Sequence, residues 1–90
     1  MPLSPEFIQR IVATVEQQGL SEMTLQDLRA TWHEIHFTYC LDDDVHHPRA
    51  YSAHRGFNLY LVDGREHCLK ITDEPRHATG LVFAEVIDDD

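Results

Sequence analysis

Positively charged residues are scarce in this sequence. Seven Lys and Arg residues stand against sixteen Asp and Glu, which gives a formal net charge of −9, and Lys70 is the single lysine. The cations form no cluster, so a phosphate backbone or an anionic membrane surface would be repelled. We therefore expect neither nucleic acid nor membrane as a partner, whereas a basic protein surface or a cation would be attracted.

Long apolar runs and export signals are also missing. No apolar run approaches the roughly 20 residues that span a bilayer, and an N-terminus with Pro2 and Pro5 does not resemble a signal peptide. These absences predict a cytoplasmic protein.

Cysteine is limited to Cys40 and Cys68. In a reducing compartment a structural disulfide is disfavoured, and two buried free thiols are the simplest interpretation.

Motifs that carry catalysis or hold a cofactor are missing as well. The sequence has no Gly-x-Ser-x-Gly, no phosphate-cradling glycine loop and no Cys-x-x-Cys. A cysteine nucleophile needs a neighbouring base that a third group orients. With seven histidines present, such a set can be drawn by chance. We therefore expect no enzyme activity and no resident cofactor.

Ninety residues are enough for one domain with one modest core, and we assign residues 1–90 to it. Ser4 as a cap, Pro5 at the first helical position and Gly19 as a terminator predict a helix over 5–18. Thr24 as a cap predicts a second, shorter helix over 25–33. The apolar residues of the first helix recur at helical spacing: Phe7, Ile8, Ile11, Val12 and Val15.

Strands are predicted after this helical hairpin of residues 5–33. Residues 35–40 alternate apolar and polar side chains, and 57–62 and 66–71 flank Asp63-Gly64, which is typical of a hairpin with a two- or three-residue turn. After a connector at 72–80 with a short helical turn, residues 81–87 predict a final apolar strand. Such a strand at a sheet edge would favour self-association and a homodimer.

The predicted fold class is α+β. The helical hairpin is expected to pack on one face of a mainly antiparallel sheet of three to four strands within residues 35–87. Residues 88–90 are an acidic tail that we expect to be frayed.

Residues 41–56 form a long loop rich in Asp and His, and a loop of that length without its own structure is unusual in a compact domain. One interpretation is an acidic interaction surface. In that case a protein partner would contact the following residues: Asp42, Asp43, Asp44, Tyr51 and Arg65.

The second interpretation is a metal site. Cys40 ends its strand where the acidic loop begins, and Cys68 lies in the predicted strand 66–71. If those two strands were neighbours, the thiols could approach each other, and Asp42, Asp44, His46 or His47 could fold over them. Two thiolates with imidazole or carboxylate ligands would suit zinc or ferrous iron. The residues leave both interpretations open.

Several phrases of the sequence together resemble a known family. They are Gly19-Leu20-Ser21-Glu22, His36-Phe37-Thr38-Tyr39-Cys40 with Asp42-Asp43-Asp44, Phe57-Asn58-Leu59-Tyr60-Leu61-Val62-Asp63-Gly64-Arg65-Glu66-His67-Cys68, and Ala78-Thr79-Gly80-Leu81-Val82. They resemble short, uncharacterised bacterial proteins encoded in nitrogen-fixation gene clusters, over roughly residues 5–87. The resemblance implies a setting, nitrogenase or its assembly, and a nitrogenase-related partner, but no mechanism. In that setting we expect a small accessory protein that acts by protein–protein interaction, and a metal- or iron-sulfur-handling protein is the alternative.

Overall fold

Two helices precede five strands in the part of the chain that the structure describes, and the predicted α+β class is confirmed. The computed structural model describes residues 3–45, 49–65 and 70–86. The helices and strands are α1 Pro5–Gln18, α2 Glu22–Thr31, β1 His36–Leu41, β2 Ser52–His54, β3 Phe57–Asp63, β4 Lys70–Thr72 and β5 Gly80–Glu85. Short 3-10 turns lie at Asp42–Asp44 and Pro75–His77.

Helix α1 has the bounds that the sequence predicted. The Ser4 hydroxyl accepts a hydrogen bond from the Phe7 backbone N–H at 3.2 Å, and Pro5 occupies the first helical position. Gly19 ends the helix with a φ of 88°, a conformation that favours glycine. The residues that α1 buries are those of the predicted stripe, namely Ile8, Ile11, Val12 and Val15.

Helix α2 starts three residues earlier than predicted, because Ser21 and not Thr24 is its cap. The Ser21 hydroxyl accepts from the Thr24 backbone N–H at 3.2 Å. The Thr24 hydroxyl in turn donates to the Gly19 carbonyl at 2.8 Å. Both side chains therefore satisfy backbone groups at the junction of the two helices, and α2 extends over Glu22–Thr31 instead of 25–33.

Within the described residues, no helix is long and apolar enough to cross a membrane.

The sheet is mixed and has five strands, so the prediction of a mainly antiparallel sheet with three to four strands was wrong. The strand order is β1-β5-β3-β2, and β4 also pairs with β3. Strand β1 pairs with β5 in parallel, whereas the other pairs are antiparallel. The chain between β1 and β5 includes the β2-β3-β4 meander, and this long crossover is what permits a parallel pair.

Strand β5 lies in the middle of the sheet, between β1 and β3, and not at an edge. Its nearly continuous apolar sequence reflects neighbours on both sides: Leu81, Phe83 and Ala84 are fully buried. The edge position that would favour self-association is therefore not found for this strand. The homodimer that it favoured loses this physical basis and stays a prediction.

The β3–β4 hairpin exists, but its predicted two- or three-residue turn was wrong. Asp63 lies opposite Lys70, so residues 64–69 intervene. The Gly64 backbone N–H donates to the Thr79 hydroxyl at 2.9 Å, and the Arg65 backbone N–H donates to the Asp63 carboxylate at 3.0 Å. The first bond holds Gly64 beside Thr79, and the second holds Arg65 beside Asp63 at the end of β3.

The predicted loop 41–56 is partly structured. It begins with the 3-10 turn Asp42–Asp44 and contains β2, which pairs with the start of β3. Arg55 and Gly56 connect the two strands, and Gly56 has a φ of 88°. His46 and His47 lie outside the described residues, as do Cys68 and residues 88–90.

The two faces of the sheet differ. One face packs against the apolar sides of α1 and α2 through Phe37, Leu59, Leu61, Leu81 and Phe83. Side chains alternate along strands, so the strand registers place another set on the opposite side, which we call the open face: His36, Thr38, Cys40, Asn58, Tyr60 and Val82. Neither α1 nor α2 lies on the open face.

Arg29 of α2 ties the helices to the outer edge of β1. Its Nε and Nη2 donate to the Phe37 carbonyl at 3.0 Å and 2.8 Å. Its Nη1 contacts the Glu22 carboxylate at 3.3 Å. The guanidinium thus satisfies a backbone acceptor at an edge where another chain could otherwise pair.

Gly80 lies opposite His36, where β1 and β5 come close together. A Cβ atom at this position would lie 2.7 Å from the His36 carbonyl oxygen and 2.9 Å from the His36 Cβ. Both neighbours belong to the start of β1, including its backbone, so they cannot rotate away. The parallel pair therefore requires a residue without a side chain here.

We expect Gly80→Ala to lower the free energy of unfolding by about 1–3 kcal/mol, because overpacking would push β1 away from β5. Urea denaturation followed by circular dichroism measures this. Thr38→Ala, at an exposed position of the neighbouring strand β1, serves as the control and should change stability by less than about 0.5 kcal/mol. A Gly80→Ala protein as stable as the parent would contradict the close-approach argument.

Candidate functional site

The acidic residues Asp42–Asp44 form one 3-10 turn directly after β1, which we call the acidic turn. The Val45 backbone N–H donates to the Asp42 carbonyl at 3.0 Å and closes the turn. Asp43 and Asp44 are exposed, whereas Asp42 is half-buried. The turn therefore directs two carboxylates to solvent and one inward.

The sheet holds the inward carboxylate in place. Asp42 Oδ1 accepts from Asn58 Nδ2 at 3.0 Å and from the Tyr60 hydroxyl at 3.4 Å. Asn58 and Tyr60 are two residues apart on β3 and share the open face. Burial and the neighbouring Asp42 raise the pKa of Tyr60, so this phenol stays a hydrogen-bond donor at neutral pH. The acidic turn is thus anchored at one end of the open face.

Cys40 lies beside this anchor, in the row of the open face that also holds Ala84 and Asn58. Burial, with the carboxylates of Asp44 and Asp42, raises the pKa of the Cys40 thiol. A thiol in such surroundings is protonated at neutral pH and is a poor nucleophile. These surroundings therefore do not favour a cysteine-based catalyst.

The metal hypothesis depended on a strand arrangement that is not found. Strand β4 pairs with β3, and β5 and β3 both lie between it and β1. Among residues 3–45, 49–65 and 70–86, no group of three or more His, Cys, Asp or Glu side chains is placed to hold a metal ion. Because Cys68, His46 and His47 lie outside the described residues, a site that includes them stays a prediction.

Tyr51 and Arg65 occupy other parts of the molecule. Tyr51 packs against the core on the helix-covered side, in a groove beside α1. Arg65 follows β3, at the end of that strand away from Asn58, and its Nη2 contacts the Asp63 carboxylate at 2.8 Å. The five predicted partner-binding residues therefore do not form one patch. Among the predicted site residues that the structure describes, the acidic turn and Cys40 lie together, beside Asn58 and Tyr60.

Asn58 and Tyr60 were not among the predicted site residues. Their alternation along β3 could have placed them on one face. Nothing in the sequence indicated that the acidic turn would lie over that face, because this depends on the order of the strands.

The raised pKa of the Cys40 thiol predicts slow alkylation. At pH 7.5 we expect iodoacetamide to modify Cys40 several-fold more slowly than a free cysteine, measured peptide by peptide with mass spectrometry. Asp44→Asn should speed the reaction, since it removes a nearby negative charge that disfavours the thiolate. Asp43→Asn is the matched control and should leave the rate unchanged. Alkylation faster than that of free cysteine would contradict this and would restore the nucleophile hypothesis.

The hydrogen bonds that Arg65 donates lower the pKa of Asp63 to about 2. We expect Arg65→Ala to raise the pKa of Asp63 toward its ordinary value of about 4, measured by carboxyl NMR during a pH titration. Because the folded-state pKa is depressed, any stability from this pair is present above about pH 4 and is lost as the pH falls through 2. Arg76→Ala should leave the Asp63 titration unchanged. A parent Asp63 that titrates near pH 4 would contradict the pairing.

Comparison with known proteins gives a family but no activity. No curated protein and no solved structure matches the chain significantly. The model of a family of unknown function, DUF6129, matches residues 10–86, which is most of the chain and includes α2, every strand and the acidic turn. The chain therefore belongs to the DUF6129 family.

Proposed function

We propose that this chain is a small accessory protein that acts by binding another protein, and that the open face with its acidic turn is the binding surface. The observation that carries the proposal is the anchored Asp42: two donors on β3 hold it, so Asp43 and Asp44 are presented in a fixed position. Without these two hydrogen bonds, the carboxylates of the acidic turn would not be held in a fixed position relative to the sheet.

The partner that fits this surface has a basic patch. The net charge of −9 attracts such a surface over distance, and the exposed carboxylates beside the open face supply local complementarity. Thr38 and His36 are exposed on the same face, so the partner would contact polar side chains next to the half-buried Val82. An interface of this kind is strongly dependent on salt.

The resemblance to proteins of nitrogen-fixation gene clusters supports a setting for this binding. We infer that the partner is nitrogenase or a protein of its assembly, and that the chain carries out no reaction of its own. The metal- or iron-sulfur-handling alternative would need Cys40 and Cys68 to act together, and no described contact favours it.

Site-specific photocrosslinking in the encoding organism tests the proposal. A crosslinking residue at Thr38 or Asp43 should give one heterologous crosslinked protein in cells that are fixing nitrogen. The same residue at Ala13 or Gln26, exposed positions on the outer surfaces of α1 and α2, should not. Crosslinks only from the helix positions, or only to a second copy of the chain, would contradict the assigned surface.

Charge reversal then tests the role of the acidic turn with the identified partner. We expect Asp43→Lys combined with Asp44→Lys to weaken binding at least tenfold, which is about 1.4 kcal/mol, with most of the loss in the association rate at low salt. Asp27→Lys combined with Asp73→Lys makes the same change in net charge at exposed positions outside the acidic turn, and this control should lose less affinity. Equal losses in both proteins would mean that net charge, and not the acidic turn, drives association.

A further inference from the structure

A groove lies between α1 and β2, on the side of the sheet opposite the open face. Its volume is about 540 Å³. The buried side chains of Ile8 and Val12 lie along it, one helical turn apart, and Tyr51 lines it from the chain before β2. The groove therefore offers an apolar strip and an aromatic ring to a ligand.

The described residues that line the groove include one carboxylate and no lysine or arginine. Glu16 follows Val12 by one further turn on the same face of α1, so a carboxylate stands at the end of the apolar strip. Glu16 is exposed and makes no ion pair within the described residues. Arg55 shares an adjacent hollow with Glu16 without pairing with it. Gln9 adds an amide to the lining.

The β2 side of the groove is held rigidly. The Ser52 hydroxyl and His54 Nε2 are 2.7 Å apart, and the His54 ring stacks on Phe57 with centroids 5.0 Å apart. Residues two apart on a strand meet on one face through the pleat alone, so this pair does not indicate a catalytic dyad. These contacts hold the His54 imidazole in one position beside the groove. Side chains that are already held lose little conformational entropy when a ligand binds.

We infer that this groove binds an arginine side chain presented by a protein or peptide. The methylene stem would lie on Val12, one helical turn from Glu16, and the planar guanidinium would meet the Glu16 carboxylate through two parallel hydrogen bonds. Tyr51 lines the same groove, and an aromatic neighbour favours a planar guanidinium over a lysine ammonium. The groove and the acidic turn lie on opposite sides of the sheet, so arginine binding in the groove does not depend on the proposed open-face interaction.

NMR titration of the full chain with N-acetyl-arginine amide tests the inference. We expect saturable shifts at Ile8, Val12, Tyr51 and His54. N-acetyl-citrulline amide, which has the same shape without the charge, should produce no saturable shift. The lysine derivative should bind more weakly than the arginine derivative, because it lacks the planar fork.

Two variants identify the carboxylate responsible. Glu16→Gln should weaken binding of the arginine derivative at least fivefold. Glu6→Gln, on the same helix but outside the groove, should bind like the parent. The inference would be overturned by the absence of saturable shifts, by citrulline binding as tightly as arginine, or by equal losses in the two variants.

Discussion

The close parallel contact between β1 and β5 is the constraint on which the rest of this structure depends. It forms only because Gly80 leaves room for the His36 backbone. With β1 fixed there, β5 becomes the central strand and β3 takes its other edge. That order places the end of β1 two strands from Asn58 and Tyr60, which is near enough for the following acidic turn to reach them.

Charge and burial then assign different roles to residues that look alike in the sequence. The Asp42 carboxylate accepts a hydrogen bond from the sheet, whereas the carboxylates of Asp43 and Asp44 are exposed and available to a partner. Cys40, which a metal site would require as a thiolate, lies where burial and those same aspartates disfavour ionisation and raise its pKa. The arrangement therefore suits a charged binding surface better than thiolate chemistry.

Sequence reasoning succeeded where structure is determined locally. Helix α1 was predicted with its cap, bounds and buried stripe, because each of those signals lies within a few residues of its effect. It failed where partners are distant in sequence. The parallel pairing of β5, the register of Asp63 opposite Lys70 and the anchoring of Asp42 all depend on contacts between separate segments. The α2 cap was missed for a different reason, since Ser21 and Thr24 are both good caps and only packing decides between them.

The candidate site could be predicted only in part, because contacts between distant segments determine where its residues lie. The acidic turn and Cys40 could be named from the sequence because their composition is unusual. Tyr51 was also named, but its position beside α1, opposite the open face, could not be known without the strand order. The groove depends on α1 and β2 lying side by side, and these segments are far apart in the sequence.

Amide hydrogen exchange of the chain with and without its crosslinked partner tests the central claim most directly. Binding through the open face predicts slower exchange in β1 and the acidic turn, with no change in α2. Slower exchange confined to the outer surfaces of the helices, with β1 and the acidic turn unchanged, would contradict the account.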